Sequence, residues 1–300
     1  MSRRALEAGW TSDQLKRSLR DEAWRPIRRG AWAEPGTEID NVLRLRAVQQ
    51  LRPDLTVSHR TAAALHGIEV PVERTEFTSL TGRRTLMTDI VQHQVPLTEE
   101  AVWTRQGLRL TNPARTIADL LREGPRDEAL VALDSALTKR RPQGQARRPP
   151  LVTLIEVRTE IGSTAKGAKQ ARTWLAYGDP GAGSPAETLA RLRIGDAGLY
   201  PESQVRMVTP LTGHVRYPDF YFRQARVIVE IEGYAFHGTR AAHREDAARF
   251  NELQLCPEVR MILRYPASVV LHQPAKMIAE IRAAVGSATG RPLLTNPSGA

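Results

Sequence analysis

Three carboxylates stand close together late in the chain. Asp219 lies in Arg216-Tyr217-Pro218-Asp219-Phe220-Tyr221, and Glu230 and Glu232 lie in Arg226-Val227-Ile228-Val229-Glu230-Ile231-Glu232-Gly233. The second stretch is β-branched and alternates, which predicts a strand. Strand side chains repeat every two residues, so Glu230 and Glu232 share a face, with Cα atoms roughly 7 Å apart. A short Arg223-Gln224-Ala225 turn makes the strand bearing Asp219 the antiparallel neighbour, so the three acids can converge. At about 5–7 Å and an effective dielectric near 20, each pair of acids costs roughly 2–3 kcal/mol; in open water the cost is under about 1 kcal/mol. A half-buried set therefore wants a hard divalent cation with oxygen ligands, Mg²⁺ or Mn²⁺. Such an ion activates water and offsets charge on a phosphate. The same residues also fit a solvated strand face carrying ordinary surface acids.

The elements that must position these acids follow from local signals. Ser184-Pro185-Ala186-Glu187 opens a helix, with Ser184 as cap and Pro185 in the first position. Glu187 is there an acid at the favourable end of the helix dipole. Val205–Val208, Val215–Tyr221 and Val227–Glu232 read as a three-strand meander. Ala241–Leu255 reads as helix, Arg260–Tyr265 as strand and Gln273–Val285 as a final helix. The order is α-β-β-β-α-β-α.

The first half begins with a capped helix after Thr11, with Leu15 and Leu19 on one face. Trp24–Trp32 follows as a short hairpin. Helix plus basic wing is the layout of a winged helix, in which Arg17, Arg20, Arg25, Arg28 and Arg29 would meet phosphates. Helical patterns cover 40–50, 112–121 and 126–139, with short strands around 75–80, 90–94 and 108–111. In Ser58-His59-Arg60-Thr61, Ser58 reads as the cap of an alanine-rich helix ending at Gly67, in preference to a nucleophile beside a histidine.

Trp24-x-x-Ile27-x-x-Gly30-x-Trp32, Ser58-His59-Arg60-Thr61-Ala62-Ala63 and Asn112-Pro113-x-Arg115-Thr116-x-x-Asp119 resemble the AbiEi-type antitoxin family over roughly residues 1 to 140. That resemblance implies an N-terminal winged helix on a small α/β body. Ser184-Pro185-x-Glu187, Pro218-Asp219-Phe220, Glu230-x-Glu232-Gly233 with His237 following, Asp246-x-x-Arg249 and Leu263-Arg264-Tyr265 are similar to the PD-(D/E)XK nuclease superfamily. The closer likeness is to its branch related to very-short-patch-repair endonucleases, over roughly 180 to 285. It implies a restriction-endonuclease-like αβββαβα core in a mixed α/β protein. It also implies metal on Asp219 and Glu230, with Glu232 as a third ligand or as the group orienting the attacking water, and with Glu187 and His237 assisting. Arg240, Arg244 and Arg249 would bind flanking phosphates, or Arg249 would instead pair with Asp246. Glu232 stands where the superfamily places a lysine.

Composition agrees with a nucleic-acid partner. The 300 residues carry a formal charge of +10, which favours a polyanion, with DNA ahead of RNA. Hydrophobic content of 41% is enough for real cores, and the single cysteine, Cys256, excludes an internal disulfide. No apolar run suggests export or membrane insertion, so a cytoplasmic place is expected. The expected division is 1–38 winged-helix-like, 39–140 α/β body, 141–180 basic linker and helices, 181–287 nuclease-like, and 288–300 a disordered tail. The function expected is a metal-dependent DNA endonuclease of defence or repair. The alternative is a non-catalytic DNA-binding antitoxin or regulator carrying an inactive nuclease fold, with a toxin or defence-system partner possible in either case.

Overall fold

A computed structural model describes residues 7–84, 87–139, 149–232 and 240–289, without the side chains of 240–246 and 288–289. The protein is mixed α/β. Two compact units divide the chain: Met1–Glu128 with Val152–Thr173, and Ala129–Leu151 with Trp174–Ala300. No helix among the described residues is long and apolar enough to cross a membrane.

The first unit opens with α1 (Ser12–Asp21), held by a reciprocal cap between Thr11 and Gln14. Strands β1 (Arg25–Arg28) and β2 (Ala31–Ala33) form an antiparallel hairpin of their own. Helix α2 (Asn41–Leu51), β3 (Leu55–Val57) and α3 (His59–His66) follow, then β4 (Thr75–Ser79), β5 (Ile90–His93), β6 (Val102–Arg105), β7 (Leu108–Thr111) and α4 (Pro113–Glu123). Five strands build one sheet in the order β5-β4-β3-β7-β6. Leu45 and Val48 of α2 pack on Leu55, Val57, Phe77 and Leu110 of that sheet. Strands β3 and β6 lie where no strand was expected. The first has only three residues, all buried, so it offers no alternation to read.

Ser58 does occupy the cap position of α3, yet its side chain makes no capping bond. Its hydroxyl instead accepts from Thr78 Oγ1 and meets His59 Nδ1, each at 2.9 Å. Gly67 ends the helix at φ +74°, as expected of a residue without Cβ.

Helices α5 (Arg126–Leu137), α6 (Leu154–Ile161) and α7 (Ala168–Leu175) lie between the two sheets in the sequence. The second unit continues with α8 (Pro185–Asp196), β8 (Glu202–Ser203), β9 (Met207–Val208), β10 (Val215–Arg216), β11 (Phe220–Phe222), β12 (Val227–Glu232), α9 (Arg240–Gln254), β13 (Met261–Pro266), α10 (Ala267–His272) and α11 (Pro274–Thr289). Its main sheet runs β13-β12-β11-β8. Strand β12 is antiparallel to β11 and parallel to β13.

The expected meander takes a different form. Strands β9 and β10 pair only with each other, and the edge of the main sheet is Glu202–Ser203. Pro218, between β10 and β11, has no N–H for a ladder, so the run from 215 to 222 breaks there. Two apolar layers cover the main sheet. Phe220, Val227, Val229 and Ile231 pack with residues of α8, α10 and α11, while Tyr221 and Ile228 pack with Leu253 and Cys256.

Candidate functional site

Alternation places the acids. Val227, Val229 and Ile231 point into one core, so Ile228, Glu230 and Glu232 take the other face of β12. The register pairs Phe220 with Val229, and one further step sets Asp219 opposite Glu230. Asp219 is fastened there. Its Oδ2 accepts from the Ile231 N–H at 2.8 Å and its Oδ1 from Gln204 Nε2 at 3.2 Å.

Glu230 is 3% exposed. Arg249, from α9, donates through Nη2 to both of its oxygens at 3.0 and 3.2 Å, and also lies 3.4 Å from the Tyr217 carbonyl oxygen. Glu187 arrives from the first turn of α8. It accepts from Gly183 N at 2.7 Å and from Ser184 Oγ at 3.0 Å, while Ser184 Oγ accepts from the Glu187 N–H. Position 183 suits glycine, because a Cβ there would stand 3.2 Å from Glu187 Oε1. A small cleft lined by Glu187, Gln204, Asp219 and Asp179 separates the helix end from the strand end.

Electrostatics couples these acids to one another. Burial, then the adjacent Asp219, pushes Glu187 up to about 7. The same two causes push Glu230 up to about 8, although Arg249 opposes them. Burial also raises Asp219, against the Ile231 N–H, Arg249 and Gln204. One buried and two half-buried carboxylates thus stand together, and Arg249 opposes the rise of Glu230 and Asp219. Near neutral pH such a group retains protons or exchanges them for a cation.

Glu232 lies apart from this trio in its pairing. It takes Arg264 Nη2 at 2.8 Å, and that guanidinium stacks 3.5 Å over the Phe250 ring. Arg249, expected on a flanking phosphate, is on Glu230. His237 lies outside the described residues. Arg240 and Arg244 belong to α9, with side chains outside the description. In the first unit Arg17, Arg20, Arg25 and Arg29 are exposed. Arg28 is half-buried and donates to Asp89 Oδ1 at 3.0 Å.

Neither the models of known protein families nor the curated proteins match this chain.

Among the described residues, no three of the acids from 187 to 232 bring one oxygen each within 4.8 Å of the others. The expected triple Asp219, Glu230 and Glu232 therefore does not form a ready three-carboxylate cage. Half-buried Asp219 and buried Glu230, side by side, still offer the one or two carboxylates that Mg²⁺ ordinarily takes from protein. The group that does meet the distance is His59, His93 and Glu123, in the first unit. In the sequence His59 reads as part of a capped helix start, and His93 and Glu123 stand alone. The only local signal was a histidine immediately after the capping serine.

Proposed function

We propose that the second unit hydrolyses phosphodiester bonds in DNA with Mg²⁺ or Mn²⁺, the cation held by Asp219 and Glu230. One observation carries this reading: half-buried Asp219, one step beyond the β11–β12 pairs, stands opposite buried Glu230, beside Glu187, which burial and then Asp219 raise toward neutrality. A cation bound there lowers the pKa of water and offsets negative charge on a phosphate. The chain supplies the rest. The Ile231 N–H and Gln204 orient Asp219, and Ser184 with Gly183 orients Glu187. In the metal-free chain burial and then Asp219 raise Glu187 to about 7, so near neutral pH it can exchange its proton for a share of the cation. Arg249 is the basic group seen against the acids, and a phosphate is the ligand suited to draw it off Glu230.

The order of α8, the strands, α9 and β13 supports a restriction-endonuclease-like core of the PD-(D/E)XK kind. In the first unit, α1 followed by the β1–β2 hairpin supports a winged-helix-like head of the AbiEi type. Exposed Arg17, Arg20 and Arg29 would hold DNA phosphates in this reading. A cytoplasmic location belongs to the same reading.

A second reading rests on Arg249. Because it already neutralises Glu230, it does the electrostatic work of a cation, as a DNA-binding regulator with an inactive nuclease fold would require. Plasmid incubated with the protein and Mg²⁺ or Mn²⁺ separates the two. Nicking that is lost in Asp219→Asn and Glu230→Gln supports hydrolysis. Mobility shift without nicking under either metal overturns it in favour of the regulator.

A further inference from the structure

His59, His93 and Glu123 come from three different elements of the first unit: the start of α3, the end of β5 and the last residue of α4. His93 Nδ1 lies 2.9 Å from Glu123 Oε2, and His59 Nε2 lies 3.5 Å from the same oxygen. Ligand atoms held about 2.0–2.1 Å from a tetrahedral zinc ion sit roughly 3.3 Å from one another, so these separations bracket that value.

The other ring nitrogens face polar groups. His59 Nδ1 meets Ser58 Oγ at 2.9 Å, and Ser58 is in turn held by Thr78. His93 Nε2 faces Glu76 Oε1 at 3.8 Å, beyond hydrogen-bond reach. Metal-binding histidines usually have their second nitrogen oriented by a partner, as His59 Nδ1 is here by Ser58.

Three further features separate this cluster from an ordinary ion-pair network. His59 is 1% exposed, and its Nε2 makes no hydrogen bond. A buried polar atom in that state is costly. Its backbone has φ +49°, in the left-handed region, so the fold holds this imidazole in place against local strain. Glu123 stands at the C-terminal end of α4, where the helix dipole disfavours an anion. Among the described residues its ionic partners are the two imidazoles, because Arg60 is divided between Glu76 and Glu128.

We propose that His59, His93 and Glu123 form a site for a divalent transition-metal ion of the Zn²⁺ class, separate from the acids of the second unit. Two imidazoles and one carboxylate are a donor set suited to zinc and its neighbours, and three protein ligands leave a fourth position open. The rings now stack, with centroids 3.5 Å apart and planes 14° apart. Lone pairs in two nearly parallel rings do not meet at one point, so ligation tilts one ring out of the stack. Deprotonated His93 is the ligating form. Burial alone would lower its pKa, but Glu123 and Glu76 hold it at about 9, so metal competes with a proton there.

The test is titration of the metal-free full chain with Zn²⁺ by calorimetry, and with Co²⁺ by visible absorption. One tight equivalent of Zn²⁺ and the intense bands of four- or five-coordinate Co²⁺ are expected, with any weaker second equivalent belonging to the acids of the second unit. His59→Gln, His93→Gln and Glu123→Gln should each weaken binding at least tenfold while keeping the wild-type circular dichroism. Asp219→Asn with Glu230→Gln should leave the tight equivalent and the Co²⁺ bands unchanged, which separates this site from the proposed nuclease centre. The proposal is overturned if wild type takes up no Zn²⁺, or if the folded histidine variants bind as tightly as wild type. It is equally overturned if binding disappears only with the Asp219 and Glu230 substitutions. Should a histidine variant not fold, the near-isosteric Glu123→Gln decides alone.

Discussion

Arg249 Nη2 lies 3.0 and 3.2 Å from the two carboxylate oxygens of Glu230. The acid is almost wholly buried and the arginine side chain is 30% exposed, so the pair straddles the boundary between core and solvent. Removing one partner of such a pair leaves the other uncompensated, whereas removing both leaves nothing stranded.

Arg249→Ala should therefore destabilise the protein more at pH 8.5 than at pH 5.5, by about 1–3 kcal/mol at the higher pH. At the lower pH Glu230 holds its proton and has less need of the guanidinium. Adding Glu230→Gln to Arg249→Ala should recover most of the loss. Urea denaturation of the four proteins of this double-mutant cycle at both pH values measures it. Equal losses at the two pH values would contradict the pairing.

The raised acids set a pH profile for stability. Glu187 and Glu230 titrate at about 7 and about 8 in the folded chain, above the ordinary 4.5. Between pH 4.5 and 8 the folded state holds more protons than the unfolded one, so stability falls as pH rises. In divalent-free buffer the fall from pH 5 to 8.5 should be on the order of 6 kcal/mol if both shifts act in full. His93, raised to about 9, adds a loss of the same sign above pH 6.5. Replacing Glu187 and Glu230 together by glutamine should flatten the part of the profile that belongs to the acids. Chemical denaturation at half-unit pH steps checks this.

Glu232 should matter less than its neighbour on the same face. Its half-exposed pair with Arg264 is worth at most about 1 kcal/mol. Under the hydrolase reading, Glu232→Gln should retain Mn²⁺-dependent nicking within about tenfold, a loss of about 1.4 kcal/mol in barrier. Asp219→Asn should lose at least about a hundredfold. Initial nicking rates of the two variants make the comparison, and equal losses would restore Glu232 to the metal.

The arginines of the first unit should divide by their partners. Arg17→Ala, Arg20→Ala and Arg29→Ala should each weaken DNA binding and reduce the salt slope by about 1. Arg28→Ala should leave that slope unchanged and lower the melting temperature, because Arg28 is engaged with Asp89. Fluorescence anisotropy against salt concentration, beside thermal melts, separates the two effects.

What could be read in advance was what depends on near neighbours. Ser184, Pro185 and Glu187 sit within one helical turn, so the cap and its acid were visible as a string. The β-branched run of β12 announced a strand, and period two put Glu230 and Glu232 on one face. The partners of those acids were not visible. Arg249 reaches Glu230 from a helix nineteen positions later, and Arg264 reaches Glu232 only because β13 runs parallel to β12. Asp119 shows the same limit. Its motif spacing to Arg115 was plain, but the structure makes the two a buried ion pair that Arg122 joins, which is an internal clamp of α4. The cluster of His59, His93 and Glu123 depends on parallel pairing of β4 with β5, a contact that no window of a dozen residues contains.

The bond from the Ile231 amide to Asp219 Oδ2 has a further consequence. At the end of β12 a side chain takes the part that a neighbouring strand's carbonyl ordinarily plays, so the carboxylate is stitched into the weave of the sheet. Asp219 cannot swing away without unzipping that margin, and protection of the Ile231 amide from deuterium records how often it does. Shortening the acid, or replacing it with alanine, would loosen a seam of the fold as well as remove a ligand.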